Sequence, residues 1–240
     1  MRRTVLMIGG MVFLAASALF GFLLYVLLST GDPTYWAGDI AGFERRDVSN
    51  PPPRGAVLFL GDDHVRQWTS LARDMSPIPV IARGFGGAQI SHITYYIPRI
   101  VVPYRPRAIV MMAGSSDMSG AHERRPEDVL EDTEAFVTAL RKAHVTAPVY
   151  FVSILPQPMR QSRWLGRKRA NALIAEYAAK DPSLHFIDVA ADLTTGADVA
   201  NGKMFDWFGL DLNAEGRAVI GAAIKSVLVR DGYAPSQNPK

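Results

Sequence analysis

The sequence predicts an α/β fold, a three-layer α/β/α sandwich built on a five-stranded parallel sheet of the flavodoxin-like kind, preceded by one N-terminal transmembrane helix. Two observations predict the sandwich. Short apolar runs alternate along the chain with longer segments of helical periodicity. These runs are apolar throughout, as expected for strands buried on both faces of a parallel sheet. A third observation, a long uncharged N-terminal run, predicts the membrane helix.

The N-terminal run extends from Val5 to Leu28 and contains only apolar and small residues. As a helix it would span roughly 36 Å, against a hydrocarbon core of about 30 Å. Arg2 and Arg3 precede it and Asp32 is the first charge after it, which places the N-terminus in the cytoplasm. We therefore predict a single-pass protein of the bacterial inner membrane with a periplasmic C-terminal domain. A signal peptide cleaved near Ala16–Ala18 is the alternative.

The chain then divides by composition. We predict a membrane anchor over residues 1–30, a linker over 31–54, a domain over 55–232 and a tail over 233–240. Trp36, Ile40 and Phe43 are expected to pack the linker on the domain, and Pro51–Pro53 to stiffen it. The absence of cysteine excludes disulfides, thiolate metal sites and cysteine nucleophiles. A net charge of +3 with scattered arginines gives no sign of nucleic-acid binding.

Strands and helices alternate within the domain. The predicted strands are Ala56–Leu60, Pro79–Ala82, Ile109–Ala113, Pro148–Ile154 and Leu184–Val189. The predicted helices run from about Val65 to Met75, from Pro126, from about Arg163 to Ala179, and from Asn213 to about Val229. Proline and acidic residues start the second of these helices, and an asparagine N-cap starts the last. In such a sheet the working site lies at the carboxyl ends of the strands.

Four motifs lie at those strand ends and carry a family resemblance. They are Gly61-Asp62-Asp63, Arg83-Gly84-Phe85-Gly86-Gly87, Gly114-Ser115-Ser116-Asp117 and Phe208-Gly209-Leu210-Asp211-Leu212-Asn213. They resemble the four blocks of SGNH/GDSL hydrolases, of the bacterial GDSL-type esterase subgroup. The resemblance extends over about residues 34 to 230 and implies an ester hydrolase scaffold.

The resemblance also implies that the catalytic side chains are substituted. The nucleophilic serine position holds Asp63, the catalytic histidine position holds Asp211, and the position of the orienting aspartate holds Phe208. Ser116 replaces an oxyanion-binding asparagine, and only Gly87, a backbone oxyanion donor, is retained. Acyl transfer needs a nucleophile, a base, an orienting group and oxyanion donors. We therefore expect no catalytic residues here, only vestigial positions.

Asp63 and Asp211 are expected to lie close together, where two carboxylates would repel or share a cation. With Asp62, His64 and Asp117 nearby, an oxygen-rich Ca²⁺ or Mg²⁺ site is one alternative. The favoured interpretation has Asp63 as a helix N-cap and Asp211 solvated or paired with an arginine, with no metal and no cofactor. We predict that His64 faces solvent. The basic stretch from Arg160 to Arg169 is expected to be a solvated helix face, with lipid or an acidic partner as the alternative.

The sequence thus favours a membrane-anchored periplasmic SGNH-like pseudoenzyme. It would act as a binding or accessory subunit of an inner-membrane protein complex, respiratory, photosynthetic or envelope, with room for a small ligand in the old cleft. The alternative is an ester hydrolase or carbohydrate O-acyl-modifying enzyme with a rebuilt carboxylate site. A binding module for a sugar or a lipid is a third possibility.

Overall fold

The structure is a computed structural model that describes residues 10–21, 31–119 and 123–234. The chain separates into two compact units, Met1–Ala37 and Gly38–Lys240. In the first unit, helix α1 covers residues 10–21 and a short 3₁₀ helix covers Pro33–Trp36. All of the predicted active-site positions lie in the second unit.

The strands of the second unit are β1 (Val57–Gly61), β2 (Val80–Gly84), β3 (Ala108–Met112), β4 (Val149–Val152) and β5 (Leu184–Ile187). Its helices are α2 (Ala37–Ser49), α3 (Asp63–Arg66), α4 (Leu71–Met75), α5 (Ile90–Tyr95), α6 (Ile97–Ile100), α7 (Pro126–Lys142), α8 (Trp164–Ala178) and α9 (Ala214–Arg230). Each predicted strand and helix of the domain has a counterpart within a few residues.

Within the described residues, one sheet holds five strands in the order β2-β1-β3-β4-β5, all parallel. This is the flavodoxin-like order, and it confirms the predicted sandwich. Val57 pairs with Val80 on one side and with Ala108 on the other, so β1 is central. Successive side chains of a strand point to opposite faces. Val57 and Phe59 accordingly belong to the core cluster that also contains residues of α4 and α9.

The predicted helix from Val65 to Met75 is interrupted. Helix α3 ends at Arg66, and α4 begins only at Leu71. The indole of Trp68 and the hydroxyl of Ser70 both donate to Asp74, which fixes the start of the second helix. The sequence did not predict α5 and α6, two short helices between β2 and β3.

The predicted linker is largely helix α2. Ile40 and Phe43 are buried within the second unit. Asp47 accepts hydrogen bonds from the Arg83 guanidinium at 2.7 Å and from the Tyr104 hydroxyl at 2.5 Å. Since Arg83 lies on β2, this buried network ties α2 to the sheet next to the second motif.

The predicted membrane helix is contradicted. Among the described residues, no helix is both long enough and apolar enough to cross a bilayer. Residues 5–9 and 22–28 of the predicted span lie outside the described residues. The predicted single-pass location in the inner membrane, with a periplasmic domain, is therefore not supported.

Candidate functional site

A sharp turn from β1 into α3 forms the centre of the site. The carboxylate of Asp62 is almost fully buried and accepts the His64 backbone N–H at 3.0 Å, so Asp62 is the N-cap of α3. Asp63 is therefore the first helical residue, not the predicted N-cap. A Cβ at Gly61 would lie 2.1 Å from the Met112 carbonyl, and one at Gly84 would lie 2.4 Å from the Arg66 amide. These two glycines let the strand ends and α3 pack at backbone distance.

Asp63, at the nucleophile position, is bound on both carboxylate oxygens. Its Oδ1 accepts from Arg66 Nε at 2.8 Å and is ion-paired with the same guanidinium. Its Oδ2 accepts the backbone N–H of Gly87 at 2.9 Å. Gly87 has φ +73°, a left-handed conformation that favours glycine. The backbone N–H that the resemblance assigns to the oxyanion hole is thus bound by the side chain at the predicted nucleophile position.

Asp211, at the base position, is held separately. Its Oδ2 accepts from the Gln67 side-chain amide at 2.8 Å, and its Oδ1 lies 4.0 Å from His64 Nδ1. His64 is only 8% exposed, so the prediction that it faces solvent is wrong. Its side chain turns inward to Asp211 because the turn at Asp62 starts the helix there. The Asp211 side chain is 27% exposed and therefore partly solvated, and within the described residues it pairs with no arginine.

The remaining vestigial positions carry no acid–base group. Phe208 is 50% exposed and its ring contacts Trp207, which is 86% exposed. Asp206 instead holds the turn, because its Oδ1 accepts the backbone N–H groups of Leu210 and Asp211. Ser116 is half-buried in the turn that follows β3.

Buried charges lie beneath the site. Asp117 is fully buried, its Oδ1 accepts the Ile90 N–H at 3.0 Å, and burial raises its pKa to about 7. Burial also raises the pKa of Asp62. The guanidinium of Arg167, likewise buried, donates to the Leu155 carbonyl at 2.9 Å, and burial lowers its pKa to about 10. Desolvation thus disfavours the charged form of each group.

Two of the residues that define this site were missed by the sequence reasoning. Arg66 follows Asp63 by three residues on a helix, a spacing that places side chains on one face and could have predicted the ion pair. Gln67 reaches Asp211 across 144 positions of sequence, and no local pattern predicts that contact. In the described ranges no group of three or more His, Asp or Glu side chains is arranged to hold a metal ion.

The basic stretch is largely neutralised within the fold. Arg163 pairs with Glu123, Lys168 with Asp198 and Arg169 with Glu127. Arg167 is buried, and Arg160 donates to the Ser119 hydroxyl. The stretch is therefore not a free cationic surface, and it does not support binding to acidic lipid.

The comparisons with known proteins identify the family. A sequence model of the GDSL-like lipase/acylhydrolase family matches residues 51–219, which is most of the chain. The chain belongs to the GDSL-like lipase/acylhydrolase family. The match confirms the resemblance that the four motifs predicted. No curated protein sequence matches the chain.

Solved structures show the same GDSL-family fold. A protein from Streptococcus pneumonia has a TM-score of 0.71 at 18% identity, over 88% of this chain and 99% of that one. A GDSL-like lipase from Bacteroides thetaiotaomicron has a TM-score of 0.64 at 19% identity, over 84% and 99%. A carbohydrate esterase family 3 protein from Talaromyces cellulolyticus has a TM-score of 0.58 at 16% identity, over 73% and 96%. At these identities the likeness concerns the fold alone.

Proposed function

We propose that this GDSL-family chain is catalytically inactive and acts by binding, as an accessory subunit for a protein partner. The observation that carries the proposal is the state of Asp63. Its carboxylate accepts the Gly87 N–H and pairs with Arg66. An acyl substrate would need that same N–H for the oxygen that becomes negative in the transition state.

More than one of the groups that ester hydrolysis needs is missing. Removing a single oxyanion donor costs about 100-fold or more in rate. Here the donor is occupied, the residue at the nucleophile position is an anion, and Phe208 at the orienting position has no hydrogen-bonding group. These losses concern different roles of one reaction, so we expect no measurable ester turnover.

An exposed apolar surface beside the old site supports a binding role. Trp207 and Phe208 are 86% and 50% exposed, and Met159 is 58% exposed. The Met159 backbone N–H donates to the Gly209 carbonyl at 3.1 Å, which joins these residues into one surface. Aromatic residues and methionine are enriched at protein interfaces, and tryptophan is prominent among the residues that dominate binding energy.

The activity test compares the wild-type chain with Asp63→Ala. Both proteins are assayed with p-nitrophenyl acetate and with an acetylated carbohydrate, and both are expected to give the rate of the buffer alone. Turnover by the wild type that disappears in Asp63→Ala would overturn the proposal, because Asp63 would then take part in the reaction.

The binding test uses the partner that co-purifies with the tagged chain, re-measured as a purified pair. Trp207→Ser is expected to weaken the pair about 30-fold or more, the loss of about 2 kcal/mol that marks a hot spot. Val48→Ser is the matched control, since Val48 is also 86% exposed but lies on α2. Equal affinity of both variants would exclude this surface as the binding site.

A second candidate is an ester hydrolase or carbohydrate O-acyl-modifying enzyme with a rebuilt site. The observation that favours it is the 4.0 Å approach of buried His64 Nδ1 to Asp211 Oδ1, a base–carboxylate pair at the old base position. This candidate predicts a rate with an apparent pKa near neutrality that is lost in Asp211→Asn. A rate equal to the buffer blank at every pH would exclude it.

A further inference from the structure

A cavity of about 310 Å³ lies at the opposite end of the sheet from the vestigial site. Arg105 and Pro106 line it just before β3, and the segment from Ala143 to Ala147 lines it just before β4. Because the strands are parallel, their amino ends share one edge of the sheet, away from the four motifs. Its volume lies within the range of small-molecule sites.

Two basic residues that line this cavity, Arg105 and His144, have no acidic partner among the described residues. Within the described ranges, no carboxylate lies within 4 Å of the side-chain nitrogens of Arg105 or His144, and the lining contains no Asp or Glu. Another cavity, of about 380 Å³, differs in this respect, because its Lys168 is paired with Asp198. The first cavity therefore has a positive charge that the fold leaves uncompensated.

Arg105 and His144 also have an unfavourable backbone conformation. Arg105 has φ +45° and His144 has φ +59°, in the left-handed region that costs side-chain-bearing residues about 1–2 kcal/mol. His144 follows the end of α7, where Val145 N–H returns to the Leu140 carbonyl, a position that usually holds glycine. Arg105 precedes a proline, which restricts its backbone further. Backbone strain of this kind clusters at ligand sites.

We propose that this cavity binds a phosphate group. The guanidinium of Arg105 offers a planar fork that matches two phosphate oxygens, and the imidazole of His144 adds an N–H donor. Thr146, also in the lining, supplies a hydroxyl. Arg141 donates to the carbonyls of Val145 and Ala147, which neutralises two acceptors beside the cavity that would repel an anion. The site is independent of the vestigial active site.

The experiment titrates inorganic phosphate into the full chain at low ionic strength. The melting temperature is expected to rise and to saturate, with half-saturation at roughly 1–10 mM. Acetate at equal ionic strength is expected to have no effect. Stabilisation by acetate as strong as that by phosphate would overturn the assignment to phosphate.

Arg105→Gly and His144→Gly separate binding from folding. Each removes a side chain proposed to bind phosphate and also relieves the left-handed backbone, so each is expected to raise the melting temperature without phosphate by roughly 2–4 °C. Each is also expected to raise the half-saturating phosphate concentration at least about tenfold. The control Lys142→Gln removes an equal charge two residues from His144, on a residue that does not line the cavity, and should leave half-saturation within about threefold.

Phosphate stabilisation that persists unchanged in both glycine variants would overturn the proposal. A titration with methyl phosphate distinguishes two sources of the bound phosphate group, the free ion and a larger phosphorylated molecule. Tighter binding than inorganic phosphate supports a phosphoryl group carried by a larger molecule, and equal binding supports the free ion. If neither inorganic phosphate nor methyl phosphate stabilises the wild type, the proposal is also overturned.

Discussion

At the scale of single residues, the site is defined by one carboxylate, Asp63, which accepts hydrogen bonds from neighbouring groups of the chain. Asp63 places an anion where the family scaffold would hold the oxyanion of an intermediate, on the Gly87 N–H and beside Arg66. Because the Asp63 and Arg66 side chains are 33% and 50% exposed, solvent screens their ion pair, and we expect it to contribute only modestly to stability.

Removing this carboxylate should create an anion site. In Asp63→Ala the Gly87 N–H and the Arg66 guanidinium lose their acceptor, so we expect acetate to bind there and to raise the melting temperature of the variant but not of the wild type. Asp63→Asn is the control, because its amide oxygen still accepts the Gly87 N–H. Thermal unfolding with and without 50 mM acetate, a concentration of about 50 times a millimolar Kd, checks the prediction. An equal response of wild type and Asp63→Ala would contradict it.

The sequence predicted which residues occupy the vestigial positions but not their bonds. The substitutions at Asp63, Phe208 and Asp211 are visible because each falls within a short motif. The partners of Asp211 depend on how far α3 turns after β1, and that is fixed by the buried Asp62 cap and by backbone contacts at Gly84. Motif spacing contains no information on such a turn.

At the scale of elements, helix α2 depends on one buried ion pair. The side chains of Arg83 and Asp47 are 9% and 22% exposed, and Tyr104 bonds to both. The nearby pair of Arg99 and Glu44 joins the same helix to α6 but is 39% and 46% exposed. Solvent screens the second pair far more than the first.

Asp47→Ala is therefore expected to cost about 3–5 kcal/mol of unfolding free energy, because it leaves a buried guanidinium without its anion. Glu44→Ala, the matched control on the same helix, should cost far less, because solvent screens the pair of Glu44 and Arg99. Urea unfolding of both variants provides the measurement. Comparable losses in the two variants would show that burial does not set the strength of these pairs.

Apolar runs predicted the strands well, because burial on both faces leaves little else in them. The helix after β1 was predicted less well, since Trp68 and Ser70 bond to Asp74 and start a new helix where the apolar pattern continues. The predicted linker is mostly α2, because Ile40 and Phe43 supply a helical apolar face. Tertiary contacts override the local pattern at these positions.

At the scale of the whole molecule, the alternation of strands and helices predicted the fold class correctly. The predicted membrane helix was wrong. The alternation involves five predicted strands and four predicted helices, so one misassigned segment cannot change the sheet. The membrane prediction rested on a single hydrophobic run. Among the residues that the structure describes, no helix is both long and apolar enough to cross a bilayer.

The stability of the whole chain should depend on pH through the ionisation of Asp117. Its folded-state pKa of about 7 is above the ordinary value of 3.8, so the unfolded chain ionises first as pH rises. The resulting loss of stability begins near pH 4, grows to about pH 7 and is constant above. At about 1.4 kcal/mol per pKa unit, the shift from 3.8 to about 7 corresponds to a loss on the order of 4 kcal/mol.

Asp117→Asn removes this dependence while its amide oxygen can still accept the Ile90 N–H. The difference in unfolding free energy between variant and wild type should therefore shift in favour of the variant from about pH 4 to pH 7 and stay level beyond. Denaturant unfolding of both proteins at several pH values measures it. A difference that does not change with pH would show that Asp117 is already ionised in the folded state.

Because Trp207 is exposed, its fluorescence can report on the loop that contains the Phe208–Asn213 motif. The other tryptophans, Trp36, Trp68 and Trp164, are 8%, 2% and 5% exposed. Iodide in solution can collide with Trp207 and hardly at all with these three, so the quenchable part of the emission comes from one loop. A molecule that covers this loop will protect that emission and shift it to shorter wavelength, without any label being attached.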